Sequence, residues 1–543
     1  MDIYRYKMKT TIKLLVLLFT AGLATGCGGG NGGGGQSSDS FEFDSEQLET
    51  AQVIHTDDQV NFLNYREDTG KSYYEITSAD LNGFNAQGNK NVSTPKKVKL
   101  NWDYTVPADK DLLRFDVTFG QEEDLSDGYT VAGTTENEIE FYNSFIGENY
   151  FKVTAVFTDG EKEESTIRTF IVEDVAPRSL YAGNMPNVRD MGGRSTYAGG
   201  RLRQGLIYRG AGNRFDQRSN IDSECQSILK NQFKINTEIN VADGTGNNIN
   251  LDGTKVENCF MAFGAVPYSN LARNSVRIRQ IMDVLSDEDN YPVFYHCRIG
   301  TDRTGITGMM INGLLGVDFE ECLQDYLFSN FAPIDNQRYP HKESDPNGDD
   351  IAKYIDALNE LPGKTFQEKV YLALRMIGCS AQQLDKIIDI MTIGNKAEIP
   401  EGFKVGMDNE LESSTNKTVA SDYKSPASYY ALSTNGKVSY TTTTTAGSKD
   451  VIVYLGTTQS VSTSTTTKLS AALSLKIDGV EQTITSQKNL WTAGFGSTQQ
   501  DSRYGYMFNV LGNYDFTAGE HTVEISVKSG SFNIASIGVA DRA

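Results

Sequence analysis

The stretch YPVFYHCRIGTDRTGITGMMINGLLG, residues 291–316, contains one of the four histidines of the chain, directly before a cysteine. Arg303 is the sixth residue after Cys297, and Gly300 lies between them. The segment YPVFY is a short apolar run typical of a buried strand, and the small, apolar run after Arg303 is typical of a buried helix. The spacing predicts a tight loop that joins the end of a strand to the N-terminus of a helix.

A loop of this kind can bind an anion, because backbone N–H groups converge at a helix N-terminus where the helix dipole is positive. The same environment lowers the pKa of a cysteine, which makes Cys297 a candidate nucleophile. The planar guanidinium of Arg303 matches two oxygens of a phosphate. Thr304 can donate its hydroxyl to the sulfur, and His296 can hold the loop through its ring nitrogens. The alternative is a buried structural cysteine beside a paired arginine, but the whole combination favours phosphate chemistry.

The segment HCRIGTDRTG resembles the phosphate-binding loop of protein tyrosine phosphatases. Residues 187–213, 315–330 and 363–391 also resemble, in order, segments of the bacterial branch of that family, which includes secreted phosphatases with lipid and protein substrates. The resemblance implies that Cys297 attacks phosphorus to form a cysteinyl-phosphate, which water then hydrolyses, without metal or cofactor. Several residues are implied to bind the phosphate group: Arg303, Arg298, Ile299, Gly300, Thr301 and, from a neighbouring strand end, Arg209. Structural roles are implied for Asn187, Arg189 and Asp190.

A general acid has to protonate the leaving oxygen, and the family pattern for it is not met in this sequence. Where the family commonly has an Asp-Leu-Arg segment, TEINVADG places Asn240 and Ala242 at the positions of the Asp and the Arg. Two aspartates remain as candidates. Asp302, beside Arg303 in the loop, is the first choice, and Asp243 is the alternative.

The loop also bears on the substrate. Related lipid phosphatases often carry basic residues at the first and fourth positions after the cysteine, whereas this chain has Arg298 and Thr301. This weakens a preference for phosphoinositides or inositol phosphates without excluding it. Phosphotyrosine and phosphoserine in proteins and small phosphomonoesters are the other candidate substrates.

The overall composition is acidic, with a net charge of −21 and a pI near 4.7. Such a surface argues against nucleic-acid binding, because phosphate backbones select basic surfaces. An arginine-rich stretch predicts a local positive patch near the site, since charges act within a Debye length of about 8 Å. Its members are Arg189, Arg194, Arg201, Arg203, Arg209, Arg214 and Arg218.

The N-terminus predicts export. Residues 1–26 have a basic start, an apolar run from Leu14 and small residues before Cys27, a pattern typical of a secretory signal and too short for a stable membrane span. The ending LATGC resembles a bacterial lipobox, which implies that Cys27 is lipidated and that the protein is held at the bacterial membrane or cell surface. A plain secretory signal is the alternative. Residues 27–41 are Gly-rich and predict a flexible tether.

Five further cysteines lie between residues 225 and 379, an odd number that leaves at least one thiol unpaired. Few histidines and no C-x-x-C pair argue against a structural zinc site.

The rest of the chain predicts a multidomain protein, with an α/β cysteine-phosphatase domain over residues 178–398 between two β-sandwiches. Residues 42–175, with a core at about 93–174, alternate as short strands and resemble a fibronectin type III domain around Trp102 and Tyr150-x-x-Val153. Residues 399–543 read as a jelly roll that resembles carbohydrate-binding modules. Its candidate sugar-binding residues are Trp491, Tyr504 and Tyr506.

Two other functions stay open at this point. The chain could be a phosphate-binding protein with an inactive phosphatase domain, because Asn240 and Ala242 depart from the family pattern. It could instead act chiefly as a surface adhesin that binds glycans through its sandwiches. A rhodanese also carries a cysteine in such a loop, but the Arg and Thr-Gly that follow Cys297 favour phosphate chemistry over sulfur transfer.

Overall fold

The computed structural model of the chain describes most of the sequence after residue 39. The described residues are 40–88, 93–213, 220–261, 274–340, 351–396, 398–399, 401–419, 428–457, 465–490 and 505–542. The predicted signal, Cys27 and most of the predicted tether therefore lie outside the described residues, as do Trp491 and Tyr504. For Tyr506 only the backbone is described, in a strand.

The middle of the chain is built on a six-stranded sheet that ends in the predicted loop. The sheet order is β10-β11-β13-β16-β14-β15, and β13, β16, β14 and β15 run parallel. The strands are β10 (Arg178–Ser179), β11 (Arg189–Asp190), β13 (Ile207–Ala211), β14 (Thr237–Asn240), β15 (Lys255–Asn258) and β16 (Val293–Cys297). A separate two-stranded sheet pairs β12 (Arg201–Leu202) with β17 (Thr392–Ile393). The central strand β16 is buried along its whole length, as expected for a parallel sheet covered on both faces.

Helices alternate with these strands, as the periodicity of the sequence predicted. They are α5 (Ser223–Ser227), continued by a π-helical turn at Ile228–Gln232, and then α6 (Ser275–Leu285), α7 (Asp302–Leu314), α8 (Phe319–Phe328), α9 (Ile351–Asn359), α10 (Phe366–Met376) and α11 (Ala381–Met391). Helix α7 follows the loop and is buried at every position. Its small and apolar residues suit a helix with packing on all sides.

The N-terminal module has antiparallel strands around one core, with Trp102 buried against Phe115. One sheet pairs β2 (Val98–Asn101) with β6 (Glu138–Phe141). The other has the order β5-β4-β7-β8, and β9 also pairs with β7. Its strands are β4 (Leu112–Gly120), β5 (Tyr129–Thr134), β7 (Gly147–Phe157), β8 (Lys162–Glu164) and β9 (Arg168–Val172), and a small ribbon joins β1 (Phe41–Glu42) to β3 (Asp103–Tyr104). A short helix, α1 (Ser45–Glu49), precedes this sheet.

The segment that precedes the sandwich core packs into the α/β region of the chain, although the sequence placed the start of that region at residue 178. It forms the helices α2 (Asp57–Leu63), α3 (Tyr65–Thr69) and α4 (Ser78–Gly83). Phe62, Tyr65 and Leu81 are at most 1% exposed and lie in the same apolar cluster as helices α7 and α8. We call residues 57–88 the helical segment. The core of the α/β region is therefore assembled from residues on both sides of the N-terminal sandwich.

The C-terminal module is a two-sheet antiparallel sandwich, as the alternation of its strands predicted. One sheet has the order β20-β21-β28-β23-β26, with β18 also paired to β28, and the other has the order β19-β22-β27-β24-β25. The strands are β18 (Lys404–Met407), β19 (Leu411–Ser413), β20 (Lys417–Val419), β21 (Ser428–Ser433), β22 (Lys437–Thr444), β23 (Gly447–Thr457), β24 (Leu473–Ile477), β25 (Val480–Gln482), β26 (Gly505–Phe516), β27 (Gly519–Val527) and β28 (Ser531–Asp541), with the short helix α12 at Leu469–Ala472.

This sandwich packs directly on the α/β region. Ser536 on β28 donates its hydroxyl to the carbonyl of Met376 at the end of α10, at 2.8 Å. Ile452, Tyr454 and Val405 from the sandwich belong to the same apolar cluster as the helices of the α/β region. The interface is buried and apolar, so the two parts share a continuous core. Among the helices in the described ranges, none combines the length and the apolarity needed to cross a bilayer.

Candidate active site

The loop from Cys297 to Arg303 joins the end of β16 to the start of α7, as the sequence predicted. Gly300 has a φ of +74°, and a Cβ at this position would lie 2.5 Å from the carbonyl oxygen of Gly210 on β13. Only glycine fits this left-handed turn against the neighbouring strand. The backbone N–H of Cys297 donates to Oγ1 of Thr304 at 2.7 Å, which closes the loop across its base.

The loop offers several hydrogen-bond donors at its open side. Within the part of the chain that the structure describes, the backbone N–H groups of residues 298–302 donate no hydrogen bond. They surround the start of α7, where the helix dipole adds a partial positive charge. This arrangement leaves a set of donors for the oxygens of an anion.

Cys297 lies at the base of this loop and is 2% exposed. Burial by itself raises the pKa of its thiol, but the charge of Arg303 and the hydroxyl of Thr304 outweigh that effect and leave the pKa below its ordinary value. The four other described cysteines are buried and free, and burial raises the pKa of Cys225, Cys259 and Cys379 to about 12. Cys297 is therefore the thiol that the fold prepares to ionise.

Arg303 contacts Asp243, which the sequence analysis named as the alternative general acid. Nη1 of Arg303 lies 3.0 Å from Oδ1 of Asp243. The arginine is 4% exposed, whereas the aspartate side chain is 65% exposed. Burial raises the pKa of Asp243, but the hydrogen bond and the charge of Arg303 outweigh it, so the pKa lies below its ordinary value. The structure thus brings Cys297, Arg303 and Asp243 to one site.

Asp325 on α8 lies beneath the loop and holds three buried arginines. Arg189 donates from Nε to Oδ1 at 2.9 Å, and Arg209 donates from Nη1 to Oδ2 at 2.5 Å. Arg194 lies 3.5 Å from the same carboxylate. Burial raises the pKa of Asp325, but the charges of the three arginines outweigh it and bring the pKa well below its usual range.

This cluster corrects the predicted positive surface patch. Arg189, Arg194 and Arg209 are at most 2% exposed and are neutralised in part by Asp325. Arg201 pairs with Asp174 at the surface, and Arg214 and Arg218 lie outside the described residues.

Arg209 supports the loop from below. Its Nη2 donates to the carbonyl oxygen of Gly300 at 2.9 Å, and the side chain is fully buried. Asn187 acts in a similar way, because its amide nitrogen lies 3.2 Å and 3.0 Å from the carbonyl oxygens of Ile299 and Gly300. Thr301 lies within reach of the same amide, at 3.4 Å. These contacts hold the carbonyl groups of Ile299 and Gly300 toward the side chains of Asn187 and Arg209. A direct contact between Arg209 and a substrate stays a prediction.

Residues 332–338, which we call the flanking segment, contact the loop along one side. Nε and Nη2 of Arg338 donate to the two carboxylate oxygens of Asp302 at 2.7 and 3.1 Å. This bidentate pair is about nine-tenths buried. Asp302, the first choice for the general acid, therefore has both oxygens engaged with a guanidinium in a nearly closed environment.

The flanking segment reaches two more loop residues. Asp335 accepts a hydrogen bond from Nη2 of Arg298 at 3.0 Å, and Ile334 packs with Ile299 in a small buried cluster. Three of the loop residues are thus positioned by a single short stretch of chain.

The helical segment holds the flanking segment in place. The N–H of Gly88 donates to the carbonyl of Asn330 at 2.8 Å, and the N–H of Ile334 donates to the carbonyl of Gly88 at 3.0 Å. The amide of Gln337 donates to the carbonyl of Ala86 at 3.0 Å. Gly88 has a φ of +64°, and a Cβ there would lie 3.0 Å from the flanking segment, so close approach requires glycine.

His296 is buried and uses both ring nitrogens, as the sequence analysis expected. Nδ1 lies 3.0 Å from the carbonyl oxygen of Cys297, and Nε2 lies 2.8 Å from Oε1 of Glu238 on β14. His296 thereby fixes the nucleophile's backbone and does not contact the open side of the loop.

Sequence reasoning missed four supporting residues: Asp325, Arg338, Asp335 and Glu238. None lies in the loop motif, and their pairing partners are 36 to 136 residues away in sequence. Among the described residues, no three His, Cys, Asp or Glu side chains come together as a set that could hold a metal ion.

Residues 181–392 match the model of the tyrosine phosphatase family. No curated protein matches the chain in sequence.

Solved structures with partial similarity include the catalytic core of the PP-IP phosphatase SIW14 from S. cerevisiae, with 20% identity over 24% of this chain and 76% of that one, and a TM-score of 0.19. A family 35 carbohydrate-binding module from an environmental isolate shares 10% identity over 25% of this chain and 93% of its own, with a TM-score of 0.19. A family 6 module from Cellvibrio mixtus lichenase 5A shares 12% identity over 26% of this chain and 98% of its own, with a TM-score of 0.18.

At these TM-scores the structural similarities carry no conclusion, and the family match carries the assignment. The match of residues 181–392 to the tyrosine phosphatase family model supports an enzyme, a hydrolase of the phosphatase type.

Proposed function

We propose that the protein hydrolyses phosphomonoesters through a cysteinyl-phosphate on Cys297. The observation that carries this proposal is the position of a buried thiol with a lowered pKa at the base of a loop whose N–H groups are left for an anion. The thiolate attacks phosphorus while the P–O bond to the leaving group breaks. Water then attacks the cysteinyl-phosphate, which releases inorganic phosphate and restores the thiolate.

Arg303 and the loop N–H groups hold the equatorial oxygens of the phosphate during both steps. Charge on these oxygens changes in the transition state, and fixed donors stabilise it without reorganisation. The cluster of Asp325, Arg189 and Arg209 keeps the loop carbonyls turned away from the anion. The role of this cluster is therefore positioning.

We assign the general acid to Asp243. A phosphate bound to Arg303 competes with Asp243 for the guanidinium, so substrate binding removes the contact that lowers the pKa of Asp243. The carboxyl is then free to take up the proton that the leaving oxygen needs, and its side chain, which is 65% exposed, is accessible to a substrate. Asp302 is a weaker candidate, because a proton on either oxygen would displace a donor of Arg338.

We further propose that the enzyme acts outside the cytoplasm and is lipid-anchored. The basic and apolar N-terminal stretch, the small residues before Cys27 and the Gly-rich stretch after it support this. The C-terminal sandwich is proposed to bind a glycan or a partner at that surface.

Hydrolysis is tested with the chain from Ser37 onward on phosphotyrosine peptides, phosphoserine peptides and phosphoinositides. We expect phosphate release that is lost in Cys297→Ser, since an alkoxide forms far less readily than a thiolate at neutral pH. Cys379→Ser, which changes another buried cysteine, serves as the matched control and keeps its activity. A folded chain without turnover on any substrate would instead support a phosphate-binding pseudoenzyme.

The ionisation of Cys297 predicts selective alkylation. At pH 7 iodoacetamide should modify Cys297 before Cys225, Cys259 and Cys379, because the thiolate is the reactive form and the other three have raised pKa values. The rate should rise with pH through a pKa below that of an ordinary thiol, and phosphate should slow it. Mass spectrometry of peptides reads the modified site. Equal labelling of all four cysteines in the folded protein contradicts the proposed thiolate.

The general acid is distinguished by the leaving group. Asp243→Asn should lower kcat about 100- to 10,000-fold for a phosphotyrosine peptide and much less for an aryl phosphate with an acidic phenol, which leaves without a proton. It should also remove the fall in rate that occurs as the pH rises through the pKa of the Asp243 carboxyl, since the acid works only when protonated. Asp302→Asn should reduce both rates to a similar extent, because it disturbs the loop. The reverse pattern would assign the role to Asp302.

Lipid attachment is tested by expressing the full chain in a bacterium with labelled palmitate. We expect label in the protein and recovery in the membrane fraction, and both should be lost in Cys27→Ala. Label that persists in this variant, or a wild-type chain without label that is secreted free, would reject the anchor and leave the plain signal.

A further inference from the structure

The open side of the loop carries an ion pair that the catalytic steps do not use. Arg298, the residue after the nucleophile, donates from Nη2 to Oδ2 of Asp335 at 3.0 Å. The arginine side chain is 29% exposed and the aspartate side chain is 61% exposed. The pair therefore borders the entrance and is accessible to a substrate.

Asp335 is held firmly in this position by its neighbours. It has a φ of +73°, a conformation in which Asp and Asn are the most favoured residues after glycine. On one side Ile334 is buried and hydrogen-bonded to Gly88, and on the other Arg338 forms its bidentate pair with Asp302. The backbone around Asp335 is thus anchored on both sides, and its carboxylate remains beside Arg298.

A second carboxylate borders the same entrance. Asp243 is 65% exposed and pairs with Arg303, and the charge of Arg298 also acts on it. Both arginines of the loop therefore have an exposed acidic partner. An incoming phosphate has to replace Asp243 at Arg303, whereas Arg298 stays paired with Asp335.

We propose that Asp335 makes the site selective for a single phosphate on a neutral or cationic peptide and excludes substrates with a second phosphate beside the first. The proposal rests on the proposed function, since it names the substrate class of the same site. Arg298 is the cation that a second phosphate could use, but Asp335 already occupies it. A second phosphate would also lie close to the exposed carboxylate, while an arginine or lysine of the substrate could pair with that carboxylate.

The magnitude follows from the charges involved. A dianion about 6 Å from one carboxylate in a solvent-exposed setting is disfavoured by about tenfold, and salt reduces this effect. Removing the carboxylate should therefore change relative rates by about one order of magnitude at low ionic strength.

The experiment compares three peptides with the same sequence around one phosphotyrosine. The first has no other charge nearby, the second has a phosphoserine two residues away, and the third has an arginine at that place. We expect the wild-type kcat/KM to be highest for the arginine peptide and lowest for the doubly phosphorylated one. In Asp335→Asn the penalty for the second phosphate should shrink about tenfold, and the advantage of the arginine should also fall.

Asp174→Asn is the matched control. Asp174 also forms an exposed pair with an arginine, Arg201, and its side chain is 57% exposed, but it lies away from the loop. It removes the same charge from the surface, so the ratios between the peptides should stay within twofold of the wild type. A similar change in both variants would show an effect of net charge and would overturn the role of Asp335.

Other results would also overturn the proposal. These are equal wild-type rates for the singly and doubly phosphorylated peptides, a preference for an inositol polyphosphate, or unchanged ratios in a folded Asp335→Asn variant. If the wild type has no turnover at all, the proposed function fails. The selectivity is then measured as the difference in binding affinity between the peptides. Calorimetry with Cys297→Ser should then show the doubly phosphorylated peptide bound more weakly, with the difference reduced about tenfold by adding Asp335→Asn. Equal affinities in both backgrounds would reject the selectivity.

Discussion

The structure of the site depends on one buried carboxylate, Asp325, and the arginines around it. A charged group inside a protein is costly unless it is paired, and removal of one partner from a buried ion pair typically destabilises a protein by about 3–5 kcal/mol. Here a single aspartate is shared by Arg189, Arg194 and Arg209, so the cluster keeps excess positive charge beneath the loop. That charge is consistent with a loop that binds an anion at its other face. Arg209 also donates to the loop carbonyl of Gly300, and Arg189 donates to Asn187, which itself contacts the loop, so the charge is coupled to the geometry.

The loop is thus supported from two directions with different physical means. From below, buried charge and hydrogen bonds orient the backbone at Gly300. From the side, the flanking segment contacts Arg298, Ile299 and Asp302 through one exposed pair, one apolar contact and one buried pair. The groups that hold the loop in place are thus different from the groups that are accessible to a substrate. Arg298 and Asp335 belong to the accessible set, while Asp302 and Arg338 belong to the enclosed one.

The loop itself could be predicted from sequence because its information is local. Apolar strand, glycine at the turn and a helix of small residues lie within 26 consecutive positions. Asp325 could not be recognised in this way, since in FEECLQDYLFSN it looks like one more acidic residue of an amphipathic helix. Arg338 likewise lies in a stretch without periodicity, and its pairing with Asp302 spans 36 residues. Such pairs are set by the tertiary fold. The surroundings of the two candidate general acids could not be read from sequence for the same reason, because the fold and not sequence proximity brings Arg338 to Asp302 and Arg303 to Asp243.

In the helical segment, the start of a helix was readable from the sequence, whereas the residues that pack against the segment were not. Thr56 and Gln59 form a capping box at the start of α2, a pattern that is readable in the sequence TDDQ. The packing partners of this segment could not be predicted from the sequence, because its aromatic residues could equally well pack in the core of the neighbouring sandwich. In the structure they contact α8 instead, and the hydroxyl of Ser72 bonds Glu320, 248 residues away.

That separation has a consequence for biosynthesis. The helical segment leaves the ribosome with Phe62, Tyr65 and Tyr73 exposed, while the partners that bury them are not yet made. At a synthesis rate of about 5–20 residues per second, the 248 residues between Ser72 and Glu320 correspond to roughly 12–50 s. The N-terminal sandwich lies between these two parts and can fold in the meantime. The nascent chain must therefore keep an apolar helix hairpin from aggregation until the catalytic half of the domain has been synthesised.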